Sequence, residues 1–160
     1  TTRMSRGDWA PPVIKWLWGA TGTGKSRAAW SEAKQLMTDA QIASEAPILD
    51  AAIAAPVQPM RCYRHVSSDH GWWDNYDGQE IVIFDDFRGG ITYSLLLELT
   101  DGYPVSVSRR SRAPCPFMAK YIFFTSSQHP RDVYQSETIR DSIDQLLRRI
   151  TLVIHFNAPL

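Results

Sequence analysis

Residues Gly19-Ala20-Thr21-Gly22-Thr23-Gly24-Lys25-Ser26 satisfy every position of the pattern G-x-x-x-x-G-K-[ST], and no other stretch of this chain so narrows the folds open to it. The three glycines let the backbone curl tightly, so that successive N–H groups converge on a phosphate beside the positive end of a helix dipole. Lys25 is then placed to reach the β- and γ-phosphates of a nucleoside triphosphate, and Ser26 to ligate Mg²⁺. The flanks supply the context this loop needs. Val13-Ile14-Lys15-Trp16-Leu17-Trp18 reads as a strand, and the run from Arg27 to Met37 is rich in helix formers. A chance glycine-rich turn between strand and helix is the simpler alternative, and it does not account for all the key positions together.

A second element points the same way. Ile81-Val82-Ile83-Phe84 is a short apolar run of the kind buried on both faces of a parallel sheet, and it ends in Asp85-Asp86. A carboxylate at the C-terminal end of such a strand lies beside the phosphate loop, because open α/β sheets take ligands outside the carboxyl ends of their strands. Asp85 is assigned to the metal. Asp86 is assigned to the attacking water, which it would orient or deprotonate, against the plainer role of a turn residue before Phe87-Arg88-Gly89-Gly90.

The chain has 160 residues, of which 44% are hydrophobic and 21% charged, enough for one domain with a sizeable core. No apolar run approaches the roughly twenty residues that cross a bilayer. Thr1-Thr2-Arg3-Met4-Ser5-Arg6 lacks the apolar region of a signal peptide, so a soluble intracellular domain is expected. Cys62 and Cys115 have no metal-ligand spacing and read as reduced thiols. Seventeen basic and seventeen acidic residues cancel, so any nucleic-acid contact must come from a local cluster. Arg109-Arg110-Ser111-Arg112 is such a cluster, following the alternating Val105-Ser106-Val107-Ser108 and preceding a proline-bounded segment. It reads as the tip of a β-hairpin or loop whose arginines contact phosphates, or else as a solvated basic loop.

Strands are expected at 13–18, 61–66, 80–84, 104–108, 120–125 and 151–156, and helices at 25–40, 92–100 and 138–149. In the last helix Ile139, Ile143, Leu146, Leu147 and Ile150 form one apolar stripe. Arg148-Arg149 closes it, which suits the negative end of the helix dipole and also a catalytic role. Residues 38–60, alanine-rich and punctuated by prolines, read as an inserted helix and loop without chemistry. The strand at 120–125 leads into Thr125-Ser126-Ser127-Gln128, polar residues at the same sheet edge as Asp85, where a sensor of the γ-phosphate belongs.

Taken together these residues resemble the superfamily 3 helicase domain of the replication initiator proteins of circular single-stranded DNA viruses. The resemblance spans nearly the whole chain. It begins at Gly7-Asp8-Trp9, passes through the phosphate loop, and meets Gly71-Trp72-Trp73-Asp74-Asn75-Tyr76-Asp77-Gly78-Gln79-Glu80 before the strand ending in Asp85-Asp86. Gly102-Tyr103-Pro104-Val105 with the basic segment is similar to the family's DNA-contacting hairpin, Ile122 to Ser127 to its motif C, and Leu146 to Thr151 to its last conserved stretch. The family usually has Asn where Ser127 stands, often a Lys and glycines around Arg109, Arg110 and Arg112, and a shorter segment than 38–60.

The resemblance implies an AAA+-like P-loop NTPase fold, α/β, with a central mainly parallel sheet flanked by helices. It implies ATP and Mg²⁺ as cofactors, single-stranded DNA as partner, a homo-oligomeric ring read as a hexamer, and the host nucleus as location. Ser127 takes the sensor position, and Arg149 is the preferred arginine finger acting on a neighbouring subunit. Residues 1–160 then form the motor half alone, because the nicking domain's His-hydrophobic-His motif is not found among the scattered His65, His70, His129 and His155. The alternative is a P-loop nucleoside or nucleotide kinase in which Arg109, Arg110 and Arg112 form a lid. A GTP-dependent switch lacks its Asn-Lys-x-Asp tetrapeptide here, and a non-hydrolysing module would not need Lys25, Ser26 and Asp85.

Overall fold

The computed structural model of the protein describes residues 10–45, 59–66, 71–134 and 136–157. Gly7-Asp8-Trp9 and residues 46–58 of the expected insertion lie outside them. The elements, in chain order, are β1 (Val13–Gly19), α1 (Lys25–Glu45), β2 (Cys62–Val66), β3 (Ile81–Asp85), α2 (Tyr93–Thr100), β4 (Ser106–Arg109), β5 (Arg112–Pro116), β6 (Tyr121–Ser126), α3 (Pro130–Val133), α4 (Glu137–Ser142), α5 (Asp144–Leu147) and β7 (Leu152–Phe156).

Five strands form a wholly parallel sheet in the order β2-β3-β6-β1-β7, while β4 and β5 make a separate antiparallel hairpin. The central strands are mostly apolar because both their faces are covered. On one face Ile14, Trp16, Val82, Phe84, Ile122 and Phe124 enter the larger core, and on the other Leu17, Ile81, Ile83 and Phe123 meet Ala29 and Ala33 of α1. Small residues on α1 let the helix lie close to the sheet. Across the larger core the rings of Trp16, Phe124 and Phe84 stack in series, with centroids 4.6 and 4.7 Å apart.

The Gly71–Glu80 segment is built around two buried rings. Trp73 packs against Tyr63, Phe84 and Phe117, and the Tyr76 hydroxyl donates to the Gln79 carbonyl and accepts from the Met118 N–H. Asn75 takes a left-handed φ of 67° between them, a conformation Asn tolerates better than most residues. The Trp73 backbone N–H also donates to the Ser108 carbonyl at 2.9 Å, which ties the segment to β4.

Two helices depart from expectation. α1 runs to Glu45 rather than ending near residue 40, so the 38–60 segment starts as a continuation of this helix, supported by Gln35–Asp39 and Gln41–Glu45 side-chain bonds four residues apart. The helix expected at 138–149 is broken into α4 and α5 at Ile143. Ser142 Oγ bonds back to the Thr138 and Ile139 carbonyls, and the Tyr93 hydroxyl takes the Ser142 carbonyl at 3.0 Å, so the regular ladder is interrupted there. The apolar stripe survives the break: Ile143 and Leu146 are buried, and Ile139, Leu147 and Ile150 pack against the same core.

Candidate functional site

β1 delivers the chain into the glycine loop at the C-terminal end of the sheet. Gly19 sits where a Cβ would lie 2.0 Å from the Phe156 carbonyl oxygen of β7, so no larger residue fits. Gly22 and Gly24 hold φ of 84° and 86°, turning the backbone through the left-handed region. Thr23 Oγ1 donates to the Ala20 carbonyl at 2.7 Å and closes the loop from inside. Lys25 Nζ donates to the Gly19 and Ala20 carbonyls at 2.8 and 2.9 Å, which curls the ammonium over the loop. The first turn of α1 presents N–H groups that have no earlier helical carbonyl to pair with, which is what an anion needs.

β6 lies between β1 and β3, and its end completes the site. Asp85 Oδ1 accepts from Ser26 Oγ at 2.8 Å and from Thr125 Oγ1 at 2.9 Å, while Oδ2 accepts from Arg64 Nε and Nη2 at 3.0 and 2.6 Å. Burial pushes this carboxyl up, but the bonds from Arg64, Ser26 and Thr125, with the Arg64 charge, outweigh it and hold the pKa below the ordinary carboxylate value. Asp86 follows in a left-handed conformation with φ of 54°, its N–H donating to Thr125 Oγ1 at 2.9 Å and its carboxylate paired with Arg88 at 2.9 Å. A cavity of about 420 Å³ is lined by loop residues with Lys25, Ser26, Arg27, Asp86, Arg88 and Thr125. Its donors and its shape suit a phosphate group. Ser26 and Asp85 present hard oxygen ligands in contact with each other, the set that suits Mg²⁺ held jointly with phosphates; among the described residues there is no cluster of three or more His, Cys, Asp or Glu that would make an all-protein metal cage.

The structure therefore brings Gly19 to Ser26, Asp85 and Asp86 together, and it leaves Ser127, the residue expected as sensor, outside that group. Ser127 is exposed and does not line the cavity. β6 ends at Ser126, whose Oγ donates to the Phe87 carbonyl and accepts from the Gln128 N–H, and the chain bends at Ser127 and Gln128. Thr125 lines the cavity and bonds Asp85. Its signal was the strand period: Ile81, Ile83 and Asp85 share one face of β3, as Phe123 and Thr125 share the matching face of β6. Arg64 and Arg88 carried no such signal, since neither lies in a motif.

The basic segment is a hairpin, with Ser111 at φ 60° in its turn, but its three arginines are not equivalent. Arg109 donates to the Ala113 and Tyr76 carbonyls, each at 2.9 Å. Arg110 is held by Asp74, through its backbone N–H at 2.8 Å and its Nε at 2.7 Å, and those bonds keep the Asp74 pKa below its usual value. Arg112 is exposed, and its guanidinium has no partner among the described residues. Arg112 is thus the member of the cluster whose guanidinium is not engaged by another described residue.

Arg148 and Arg149 lie elsewhere. They follow α5 and precede β7, so they sit at the N-terminal end of a parallel sheet whose C-terminal end carries the phosphate loop, about 20 Å away at the rise of an extended strand. With Pro11, Pro12, Tyr103 and Thr151 they line a second cavity of about 530 Å³, and Arg149 Nη1 donates to the Gln145 carbonyl. Neither arginine serves the nucleotide cavity of its own chain.

A family model described as RNA helicase matches residues 15–128. The replication-associated protein of Porcine circovirus 1 is 40% identical over 84 residues, 52% of this chain and 26% of that protein. That of Goose circovirus is 33% identical over 143 residues, 89% and 38%, and that of Human associated cyclovirus 1 is 30% identical over 139 residues, 87% and 41%. The matches cover about a quarter to two-fifths of the length of these relatives. No helix among the described residues is long and apolar enough to cross a membrane.

Proposed function

The chain belongs to the RNA helicase family, beside the replication-associated proteins of circoviruses and cycloviruses, and on that premise we propose that it is an ATP-hydrolysing motor that moves along single-stranded DNA as a homo-oligomeric ring. The observation that carries the reading is the meeting of Ser26 and Asp85 at 2.8 Å beside a cavity that also holds Lys25 and Asp86.

The residues divide the work. Backbone N–H groups of the loop and the first turn of α1 hold the phosphates, and Lys25 exchanges its two loop carbonyls for β- and γ-phosphate oxygens. Ser26 and Asp85 would hold Mg²⁺, which when bound supplies charge neutralisation on those oxygens. Asp86 accepts a proton from the water whose oxygen bonds to the γ-phosphorus as the bridging bond to ADP breaks. Its pairing with Arg88 must loosen for this, which leaves Arg88 facing the same phosphoryl group. Thr125, bonded to both Asp85 and the Asp86 N–H, fixes the two acids relative to each other. Phosphate contacts do not by themselves separate DNA from RNA; the replication-associated relatives favour DNA.

The kinase alternative needs mobile arginines over the phosphates, and Arg109 and Arg110 are instead tied to Tyr76, Ala113 and Asp74. The test is ATP turnover and oligomer mass measured with and without Mg²⁺ and single-stranded DNA. Stimulated turnover together with ring assembly is the expected result. Phosphate transfer to a nucleotide acceptor, with DNA without effect, would overturn it.

A further inference from the structure

We propose that Trp72 is a stacking platform for the bases of a single strand, held beside the hairpin tip by Arg110; the proposal rests on the DNA-motor reading and adds to it a contact with bases rather than phosphates. Trp72 and Trp73 are adjacent yet opposite in environment, 40% and 0% exposed. The bond from the Trp73 backbone N–H to the Ser108 carbonyl lays this segment along β4, so that Trp73 turns into the core and Trp72 turns out beside the turn of the hairpin. An indole left this exposed gives up burial that its neighbour obtains in full.

The exposed ring nonetheless has a neighbour. The Arg110 guanidinium lies 5.8 Å from the ring centroid, and Asp74 in turn holds Arg110 by side chain and backbone. Asp74, Arg110 and Trp72 thus form one connected group on the surface. Across the two-residue turn, Arg112 offers a cation with no partner among the described residues. An exposed aromatic face next to a cation is the pairing that binds single strands without reading sequence, the ring taking a base and the cation a phosphate.

Three variants, Trp72→Ala, Trp72→Leu and Trp72→Phe, are compared with the parent chain for binding to oligothymidylate and to an abasic oligomer of the same length and charge. Fluorescence anisotropy over a range of salt concentrations reads the affinity, and circular dichroism checks the fold. The parent chain is expected to prefer oligothymidylate. Trp72→Ala and Trp72→Leu should lose about ten-fold of that affinity and little for the abasic oligomer, with the salt slope unchanged, while Trp72→Phe keeps most of the preference. Equal binding of both oligomers by the parent chain overturns the proposal, as does a folded Trp72→Leu that keeps the preference or loses both affinities alike. A parent chain that binds neither oligomer overturns the DNA-motor reading itself, and the proposal with it.

Discussion

Ser26 Oγ donates to Asp85 Oδ1 at 2.8 Å, joining the first turn of α1 to the end of β3 across 59 residues of sequence. The same oxygen accepts from Thr125, and the other from two nitrogens of Arg64, so four donors fix the carboxylate before any ligand arrives. A site held this way loses little freedom when phosphate binds, and its parts can be tested one at a time.

Lys25→Ala should remove nearly all ATP turnover and weaken nucleotide binding. Asp86→Asn should lower kcat by roughly 10²–10⁴-fold while leaving nucleotide affinity within a few-fold, because a proton acceptor acts only in the reaction. Turnover and equilibrium binding measured on both variants separate the roles; an unchanged kcat in Asp86→Asn would sink the assignment.

Thr125→Val keeps the shape of the side chain and removes the hydroxyl that touches Asp85 and the Asp86 N–H. It should reduce turnover by at least ten-fold, the factor that each 1.36 kcal/mol of lost transition-state stabilisation represents. Ser127→Ala should stay near the parent rate, since Ser127 is exposed and outside the cavity. The reverse ranking would favour Ser127 as the sensor.

Within the hairpin the single substitutions should differ in kind. Arg112→Ala should weaken single-stranded DNA binding alike for all sequences and reduce the salt slope by about one, as the loss of one phosphate contact does. Arg109→Ala removes two bonds to backbone carbonyls and should show first as a lower melting temperature. Salt titrations and thermal melts on the two proteins distinguish these outcomes.

Arg149→Ala mixed with Lys25→Ala should recover part of the ATPase activity that each lacks alone. The two residues lie at opposite ends of one sheet, so a shared site requires Arg149 of one subunit to meet the phosphate loop of the next. Arginine fingers of this sort contribute roughly 10³–10⁵-fold in rate. If mixed rings form and show no recovery, Arg149 acts in neither site.

Burial pushes the Cys62 thiol up to about 11. The folded value lies above the unfolded one of about 8.5, so this group's contribution to stability is whole below that pH and is lost as pH rises through the folded value. Denaturant melts between pH 8 and 11 should show a falling midpoint that flattens in Cys62→Ala. Iodoacetamide labelling of Cys62 at pH 8 should be slow in the native protein and fast once it is unfolded.

The local patterns in this chain were enough for its phosphate loop, for the strand ending in Asp85-Asp86, for the parallel sheet and for the hairpin carrying the arginines. Each rests on signals that act over a few residues: glycine spacing, the period of apolar residues, and the polar ends of buried strands. What the chain itself could not announce is which distant side chains meet. Placing β6 between β1 and β3 brings Thr125, rather than Ser127, onto Asp85, and running β7 parallel to β1 puts Arg149 at the end of the sheet away from the loop. The bond of Arg110 to Asp74 spans 36 residues and leaves Arg112 as the hairpin's cation without a partner among the described residues. The break at Ser142 likewise depends on Tyr93, far from it in sequence. Backbone preference is set by neighbours along the chain, whereas strand order and side-chain partners are set by which faces the whole chain can bury at once, and that is decided only in three dimensions.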